Sequence, residues 1–306
     1  MISERQKVLE KFRYKIPVFL KNKLNTLNEE DQNRILRQFS PDIRELERDI
    51  DFTEDPLHEE DPDIHPDENL IHKYKSKILV LTSSQCPVYC RYCTRKRRTM
   101  KNISGNRIAS DEILLYLSKK PFIQEVIFSG GDPMMLSEKR LFQLIEAACS
   151  FKNIKFIRFH TRAATTMPSR FSEKFFENLQ FFKNQYPDKV FAMVFHINHA
   201  AEIFEETIQI LQKLQSIKIL LFSQSVLLKE VNDDAAILSA LFQKLMFLQI
   251  QPYYLHSLDY VEGSSHFLVQ PEKAYNIMKE LRNLIPPYML PRFVKDSKQG
   301  KINLFY

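Results

Sequence analysis

The sequence lacks long apolar runs and has little glycine or cysteine. No apolar run among its 306 residues reaches the length of a membrane span, and residues 1–7 lack the apolar stretch of a signal peptide. We therefore expect a cytoplasmic protein, in which the four cysteines are metal ligands or free thiols rather than disulfides. Because there are only five glycines, a turn that uses one is a candidate for a special backbone requirement.

Composition and charge set the broad class. Hydrophobic residues make up 44% of the chain, which is enough for a sizeable core and argues against global disorder. The length fits one large α/β domain with an appendage. The net charge of +6 suits anionic small molecules or an acidic partner and does not by itself imply nucleic acid.

The first seventy residues differ from the rest in being highly charged. Two helix-like stretches are expected there, around residues 16–20 and over residues 29–39. Residues 51–69 are acidic and rich in proline, which predicts an extended connection.

Short apolar runs followed by amphipathic stretches recur from residue 78 onward. The apolar runs cover 78–82, 126–128, 156–159, 190–195, 219–222 and 252–255, and the helical patterns cover 141–148, 171–182, 203–214, 235–248 and 272–284. Six strand–helix units predict a parallel α/β sheet. Chemically unusual residues follow the strands, and in a barrel-like fold the C-terminal strand ends form the active face. These residues are Cys86, Gly130, His160, His196, Gln224 and His256.

Cys86, Cys90 and Cys93 form the run C-x-x-x-C-x-x-C. Three thiolates this close suit three corners of a cubane iron–sulfur cluster and leave one iron without a protein ligand. The alternative is a structural zinc site, but such sites normally take four protein ligands. The remaining thiol, Cys149, lies far along the chain in an amphipathic stretch, where we expect a small buried apolar residue.

The cysteine run and the segment at 128–133 (Phe-Ser-Gly-Gly-Asp-Pro) together resemble the radical S-adenosylmethionine superfamily, and within it the lysine 2,3-aminomutase family. Further matching segments are 72–74, 158–162, 196–199, 223–228, 252–256, 258–259 and 263–267. The amino-acid sequence of residues 254–267 and 290–293 is most similar to the branch that makes β-lysine for the modification of a lysine on translation elongation factor P.

The resemblance implies the radical S-adenosylmethionine partial TIM barrel, here with six (β/α) units. It implies a helical N-terminal extension and linker over residues 1–70 and a core domain over residues 71–287. A short C-terminal segment that carries the pyridoxal phosphate lysine is expected over residues 288–306.

The resemblance also implies three cofactors: a [4Fe-4S] cluster on the three cysteines, S-adenosylmethionine on its open iron, and pyridoxal 5′-phosphate. The turn of Gly130, Gly131 and Asp132 is expected to hold the methionine end of S-adenosylmethionine, with an ordinary strand-to-helix turn as the alternative. Tyr92 is expected near the adenine. His196 and Gln224 are further candidates for the same pocket.

Lys301 aligns with the lysine that holds the aldehyde of pyridoxal phosphate in this family. Lys295 and Lys298 stay alternatives, as does a solvated basic tail. The loop before Lys301 is shorter than in the family and keeps only Gly300. Basic residues at Lys73 and Lys77 match family positions near the pyridoxal phosphate, where cations suit a phosphate group.

The resemblance assigns substrate binding to Arg95, Asp259 and Asp296. A guanidinium at position 95 can grip the substrate carboxylate at two points, although the wholly basic run 95–98 leaves a nucleic-acid or solvated patch as the alternative. The two aspartates match the family's carboxylates for the ε-ammonium of lysine, a cation that needs a paired anion when buried. Since glutamate-specific relatives are expected to lack this pair, L-lysine is the predicted substrate.

The implied activity is that of an isomerase that converts L-lysine to β-lysine by 1,2-amino migration, with Lys301 as the catalytic residue. An electron donor is expected (a reductase, flavodoxin or ferredoxin), whereas a membrane partner is not, and nucleic acid is disfavoured. A homo-oligomer and the fate of β-lysine, on elongation factor P or in free metabolism, stay open. Two alternatives remain: a radical S-adenosylmethionine enzyme without pyridoxal phosphate that acts on RNA or protein, and a degenerate scaffold without activity.

Overall fold

A computed structural model describes residues 4–100 and 110–305 of the chain. Residues 1–3 and 306, at the ends of the predicted extension and C-terminal segment, and residues 101–109 of the predicted core domain lie outside this part. In the described chain, nine strands form one sheet. They are β1 (Leu70–Tyr74), β2 (Lys77–Leu81), β3 (Glu125–Ser129), β4 (Phe156–Thr161), β5 (Val190–His196), β6 (Leu220–Val226), β7 (Gln251–His256), β8 (Arg292–Ser297) and β9 (Gly300–Asn303).

The strands lie in the sheet in chain order, with a hairpin at each edge. The seven strands from β2 to β8 run parallel. β1 pairs with β2 and β9 pairs with β8 in antiparallel fashion. The six predicted strands are confirmed as β2 to β7, whereas β1, β8 and β9 were not predicted.

The two edges of the sheet meet, so the sheet is a nearly closed barrel. The backbone N of Lys301 on β9 donates to the Tyr74 hydroxyl on β1 at 3.1 Å, and Lys73 Nζ donates to the carbonyl of Ser297. Gly300 has φ +127°, and a Cβ there would lie 3.0 Å from the Tyr74 ring. A side chain at residue 300 would therefore push the two edges apart.

Eleven α-helices are found in the described residues. They are α1 (Glu4–Lys11), α2 (Val18–Leu24), α3 (Glu29–Arg37), α4 (Lys96–Thr99), α5 (Ser110–Ser118), α6 (Glu138–Cys149), α7 (Ala163–Thr166), α8 (Glu173–Gln185), α9 (Glu205–Ser216), α10 (Ala235–Phe247) and α11 (Pro271–Leu284). The five predicted helices of the core are α6 and α8 to α11. The predicted start of α8 at residue 171 is two residues early, because the Ser172 side chain caps the helix by accepting from Phe175 N.

The main core lies between the sheet and its outer helices. Apolar side chains of the strands, such as Phe128 and Phe159, pack with helix residues such as Leu144 and Leu241. None of the described helices combines the length and the apolar character needed to cross a membrane.

The N-terminal helices pack onto the loop that carries the cysteines. Leu20 and Ile35 form one buried cluster with Val88 of that loop. Val8 forms another with Tyr89 of the same loop. The N-terminal extension therefore covers the cysteine loop.

A buried ion pair ties this cover to the loop. Arg91, between the second and third cysteines, donates from Nε and Nη2 to both carboxylate oxygens of Glu45, at 2.8 and 2.7 Å. Both side chains are 0% exposed. Arg91 Nη1 also donates to the Arg13 carbonyl at 2.7 Å. Such a forked pair fixes geometry as well as charge.

Replacement Glu45→Gln is expected to lower the free energy of unfolding by about 3–5 kcal/mol, because the Arg91 charge would stay buried without a counter-charge. Urea unfolding followed by circular dichroism measures the change. Glu47→Gln, at an exposed position of the same segment, is the matched control and should change the free energy by less than ~0.5 kcal/mol. An equally small change for both variants would contradict the structural role of the pair.

Candidate active site

The three cysteines lie on the loop directly after β2, at the C-terminal end of the first parallel strand. All three are free thiols of intermediate exposure. Burial raises the pKa of Cys86 well above the ordinary thiol value, and the neighbouring Cys93 and Cys90 add to the increase. Burial also raises the pKa of Cys93, again with a contribution from Cys90. The three thiols therefore lie in one partly buried stretch of the loop.

The donor set of this loop suits a cluster better than a single zinc ion. A structural zinc site normally takes four protein ligands, whereas a cubane cluster takes one cysteine on each of three irons and leaves the fourth iron open. Three cysteines within residues 86–93 therefore fit the [4Fe-4S] cluster.

Cys149 has a different environment from the other three cysteines. It lies on α6, buried in the main core between helices and sheet. Burial raises the pKa of this thiol to about 12. Cys149 is therefore a buried apolar residue, as the sequence predicts.

The turn after β3 holds the cysteine loop through its backbone. Gly131 N donates to the Ser83 carbonyl at 2.5 Å, and Asp132 N donates to the Gln85 carbonyl at 2.8 Å. A Cβ on Gly131 would lie 2.2 Å from the Gln85 oxygen, and Gly130 has φ +111°. The close approach that needs glycine is thus made to the protein's own backbone. That the turn also binds S-adenosylmethionine stays a prediction.

The Asp132 carboxylate joins this turn to the end of β4. It is buried and accepts hydrogen bonds from Thr161 Oγ1 at 2.8 Å and from the backbone N of Arg162 at 2.8 Å. Burial raises the pKa of Asp132, although these donors act to lower it. Asp132 therefore has a structural task in addition to its predicted role at the cofactor.

Tyr92, His196 and Gln224, predicted for the S-adenosylmethionine pocket, are brought together. The Tyr92 ring stacks on His196 with 5.8 Å between centroids, and its hydroxyl lies 2.9 Å from His196 Nε2. His196 and Gln224 are paired neighbours on β5 and β6. Burial, and then the Arg162 guanidinium, hold the pKa of His196 well below its ordinary value, so the ring is neutral at neutral pH.

The three candidate lysines near the C-terminus have three different partners. The contacts are Lys295 Nζ to the Tyr260 ring centroid at 4.5 Å, Lys298 to Asp61 at 2.5 Å and Lys301 to Asp296 at 2.5 Å. The segment forms the β8–β9 hairpin rather than a frayed tail. Of the three lysines, Lys301 forms its ion pair with another predicted site residue.

Asp296 and Asp259 differ in protonation. His256 Nδ1 and Lys301 Nζ both contact Asp296 Oδ2, at 3.2 and 2.5 Å. Burial acts to raise the pKa of Asp296, but the His256 hydrogen bond and the Lys301 ammonium hold it well below its ordinary value. Burial, and then the charge of Asp296, raise the pKa of Asp259 to about 7. At neutral pH the first carboxylate is charged and the second is about half protonated.

Arg95 follows the last cysteine and is held by Glu59. Its Nε donates to Glu59 Oε2 at 2.8 Å and its Nη2 donates to Oε1 at 2.6 Å. Burial acts to lower the pKa of Arg95, but Glu59, Cys93 and Asp296 raise it. This pairing uses one edge of the guanidinium, and the edge formed by Nη1 and Nη2 can grip a second carboxylate. Glu59 lies in the acidic segment 51–69 and was not among the predicted site residues.

The other three cations of the basic run 95–98 also have partners within the chain. The contacts are Lys96 with Glu45 at 3.4 Å, Arg97 with Asp55 at 2.9 Å and Glu60 at 2.6 Å, and Arg98 with the Glu68 carbonyl at 3.1 Å. Most of these partners come from the acidic segment 51–69. Lys96 and Arg97 are therefore paired with carboxylates within the chain and Arg98 donates to a backbone carbonyl, which argues against the alternative interpretation of the run as a nucleic-acid patch.

Lys73 and Lys77, predicted to lie near the cofactor phosphate, sit on the β1–β2 hairpin. Lys73 contacts the Ser297 carbonyl, next to the turn that leads to Lys301. Burial lowers its pKa. Lys77 Nζ lies 4.1 Å from the centroid of the Tyr74 ring. Lys77 starts β2 and is thus at the strand end opposite to the cysteine loop.

His160, on β4, carries a buried polar atom that lacks a partner. Its Nε2 has no hydrogen bond within the described part of the chain. Burial, and then the charges of Arg158, Lys301 and Arg95, hold its pKa well below the ordinary value. A neutral ring nitrogen beside these cations can donate to or accept from a bound group. This orphaned atom fits a site that takes a cofactor or substrate.

Comparisons with known proteins identify an iron–sulfur domain in the part of the chain that carries the cysteine loop. Residues 76–179 match the model of a family described as a 4Fe-4S single cluster domain. The matched range contains the three cysteines and the glycine turn.

Two relatives carry the same name. An L-lysine 2,3-aminomutase of Haemophilus influenzae is 38% identical over 245 residues, which cover 80% of this chain and 70% of that protein. An L-lysine 2,3-aminomutase of Buchnera aphidicola is 36% identical over 270 residues, which cover 88% of this chain and 77% of that protein.

The solved structure of Streptococcus suis SuiB bound to S-adenosylmethionine is similar in fold, with a TM-score of 0.53 at 14% identity over 71% of this chain and 49% of that one. This likeness bears on the fold alone, and with the nine-stranded sheet it confirms the predicted partial TIM barrel. Since relatives at 36–38% identity span at least four-fifths of its length, the chain belongs to the L-lysine 2,3-aminomutase family.

Proposed function

We propose that this chain is a radical S-adenosylmethionine isomerase that converts L-lysine to β-lysine with a [4Fe-4S] cluster and pyridoxal 5′-phosphate. The carrying observation is the ion pair between Lys301 and Asp296 at 2.5 Å, with His256 also 3.2 Å from Asp296. His256 ends β7 and Asp296 lies near the end of β8, so both are at the same edge of the parallel strands as the cysteine loop after β2. Arg95 is part of the segment that follows the last cysteine of that loop. This placement supports one binding site at the C-terminal strand ends.

The charges of this site complement those of lysine. The free edge of Arg95 suits the α-carboxylate. Asp259 and Asp296 suit the ε-ammonium, because a buried ammonium needs a paired anion. Glutamate would instead bring a carboxylate against the two aspartates, and like charges repel. The site therefore favours L-lysine as the substrate.

Lys301 couples cofactor binding to substrate binding in this proposal. Its ammonium now neutralises Asp296 at 2.5 Å. If Lys301 held the pyridoxal aldehyde, its nitrogen would be bonded to the cofactor and would no longer be a free ammonium for Asp296. The Asp296 carboxylate would then be available to the incoming ε-ammonium of the substrate.

The residues of the chain bind and orient the substrate and the cofactors, and the cofactors supply the radical chemistry. When bound, the cluster with S-adenosylmethionine supplies the radical that removes and returns a substrate hydrogen, and pyridoxal phosphate supplies the conjugated system for amino migration. In this proposal Tyr92, His196 and Gln224, which lie together, hold S-adenosylmethionine beside the cluster. Lys73 offers a cation for the phosphate, and His160 offers its unpartnered nitrogen.

The proposal implies partners beyond the substrate. A reductase, flavodoxin or ferredoxin is expected to deliver the electron, in the cytoplasm. The resemblance to the elongation factor P branch makes that protein's lysine modification one expected consumer of β-lysine, and free metabolism is the other. The intact cysteine triplet argues against the alternative of a degenerate scaffold.

Anaerobic reconstitution with iron, sulfide, pyridoxal phosphate, S-adenosylmethionine and a reductant is expected to yield β-lysine from L-lysine. Chromatography with mass spectrometry separates substrate and product, and L-glutamate serves as the control substrate. Turnover of glutamate but not lysine would overturn the substrate assignment. Formation of 5′-deoxyadenosine with neither amino acid converted would favour an enzyme that acts on RNA or protein.

Lys301→Ala is expected to abolish covalent attachment of pyridoxal phosphate, whereas Lys298→Ala keeps it. Lys298 is the matched control, because it lies on the same hairpin but pairs with Asp61. Borohydride reduction followed by peptide mass mapping measures the attachment site. A cofactor mass on Lys295 or Lys298 in the unmodified sequence would contradict the assignment.

Asp259→Asn is expected to raise KM for lysine at least ~30-fold, or about 2 kcal/mol, with a smaller effect on kcat. Because the pKa of Asp259 is about 7, its carboxylate is protonated below and charged above that value, so KM of the unmodified enzyme should fall as pH rises from ~6 to ~8. The asparagine variant should lose this dependence. An unchanged pH profile in the variant would exclude Asp259 as its source.

A further inference from the structure

Arg162 makes direct contact with a sulfur of the cysteine loop. It follows β4 and its side chain is 6% exposed. Its Nη1 donates to Cys90 Sγ at 3.0 Å. Arg162 ends the segment 158–162 that resembles the family, and no role was predicted for it.

The guanidinium is held in place from three parts of the chain. Nη1 also donates to the Tyr92 hydroxyl at 2.5 Å. Nη2 donates to Gln38 Oε1 at 2.5 Å and to Glu202 Oε2 at 2.7 Å. The Phe39 ring lies 4.6 Å from the guanidinium carbon. With so many partners, Arg162 has little freedom to turn away from the sulfur.

We propose that Arg162 sets the reduction potential of the [4Fe-4S] cluster through the thiolate of Cys90. This inference rests on the cluster of the proposed function, but not on lysine or pyridoxal phosphate. Reduction moves one electron from an external low-potential donor to the cluster, so [4Fe-4S]²⁺ becomes [4Fe-4S]⁺, and no bond or proton is exchanged. Hydrogen bonds to the sulfurs and nearby charge set such potentials. A buried cation that donates to a ligand sulfur stabilises the more negative reduced cluster and thereby raises its potential.

Glu202 opposes this effect, so its replacement gives a test in which the direction of the shift in potential is predicted. Its carboxylate receives from Nη2, whereas the sulfur receives from Nη1. The ion pair thus presents its positive side to Cys90. Removing the charge of Glu202 leaves the hydrogen bond to the sulfur and takes away a nearby negative charge. Substitutions at Arg162 and Glu202 should therefore shift the potential in opposite directions, which a merely structural role does not require.

The test is a redox titration of the reconstituted holoprotein with dithionite, followed by electron paramagnetic resonance of the reduced cluster. The variants are E202Q and the double variant R162Q/E202Q, measured without substrate or S-adenosylmethionine. At the midpoint of the unmodified protein, the ratio of reduced to oxidised cluster should fall at least ~10-fold in the double variant, which is ~59 mV for one electron. E202Q alone should shift the midpoint upward.

The double variant removes both charges, so no buried carboxylate is left unpaired. Iron and sulfide content checks that the cluster is complete. If the double variant does not retain its cluster, R162K is measured instead. This variant keeps the positive charge but loses the forked hydrogen-bond donor, so its midpoint potential is expected to lie below that of the unmodified protein. A complete cluster with an unchanged midpoint in the deciding variant would overturn the inference. Absence of lysine turnover by the unmodified protein would instead count against the aminomutase proposal alone.

Discussion

The contact between the Gly131 backbone and Gln85 is the constraint on which the site depends. The cysteine loop has no regular secondary structure, so its position depends on its neighbours. On the sheet side, the turn after β3 binds the loop by hydrogen bonds to Ser83 and Gln85, at a distance that excludes a side chain. On the outer side, the buried pair of Arg91 and Glu45 holds it. The backbone contacts and the ion pair thus hold the loop that carries the three cysteines.

The parts of the fold that could be predicted are those with a local signature. The parallel strands β2 to β7 carry apolar runs, because both of their faces are covered. The edge strands β1 and β9 contain polar residues such as Lys73 and Lys301 and are four or five residues long. Such strands form because a neighbour is present to pair with them, which depends on residues far away in the sequence.

In the candidate site, too, the residues that could be predicted have a local sequence signature and the others do not. The cysteines and glycines are recognisable from their spacing within a few residues. Glu59 binds Arg95 across 36 residues, and Arg162 binds Gln38 across 124, so neither contact has a local pattern. A signal for the first contact did exist, since residues 51–69 are acidic and residues 95–98 are wholly basic. Each segment was interpreted by itself, one as a connection and the other as a surface patch, whereas together they form an internal ion-pair network.

The meeting of the first and last strands has a consequence for how the barrel can be entered. In the described chain, the hydrogen-bonded ladder of the sheet ends at β1 and β9. Contacts that involve a side chain join these edges, including the Tyr74 hydroxyl with Lys301 N and Lys73 with the Ser297 carbonyl. Separating the edges would break such contacts and leave every strand pairing intact. The barrel therefore has one boundary without a strand ladder, and Lys301, the residue proposed to hold pyridoxal phosphate, lies on it. Opening this boundary exposes Lys301 without unfolding any part of the sheet.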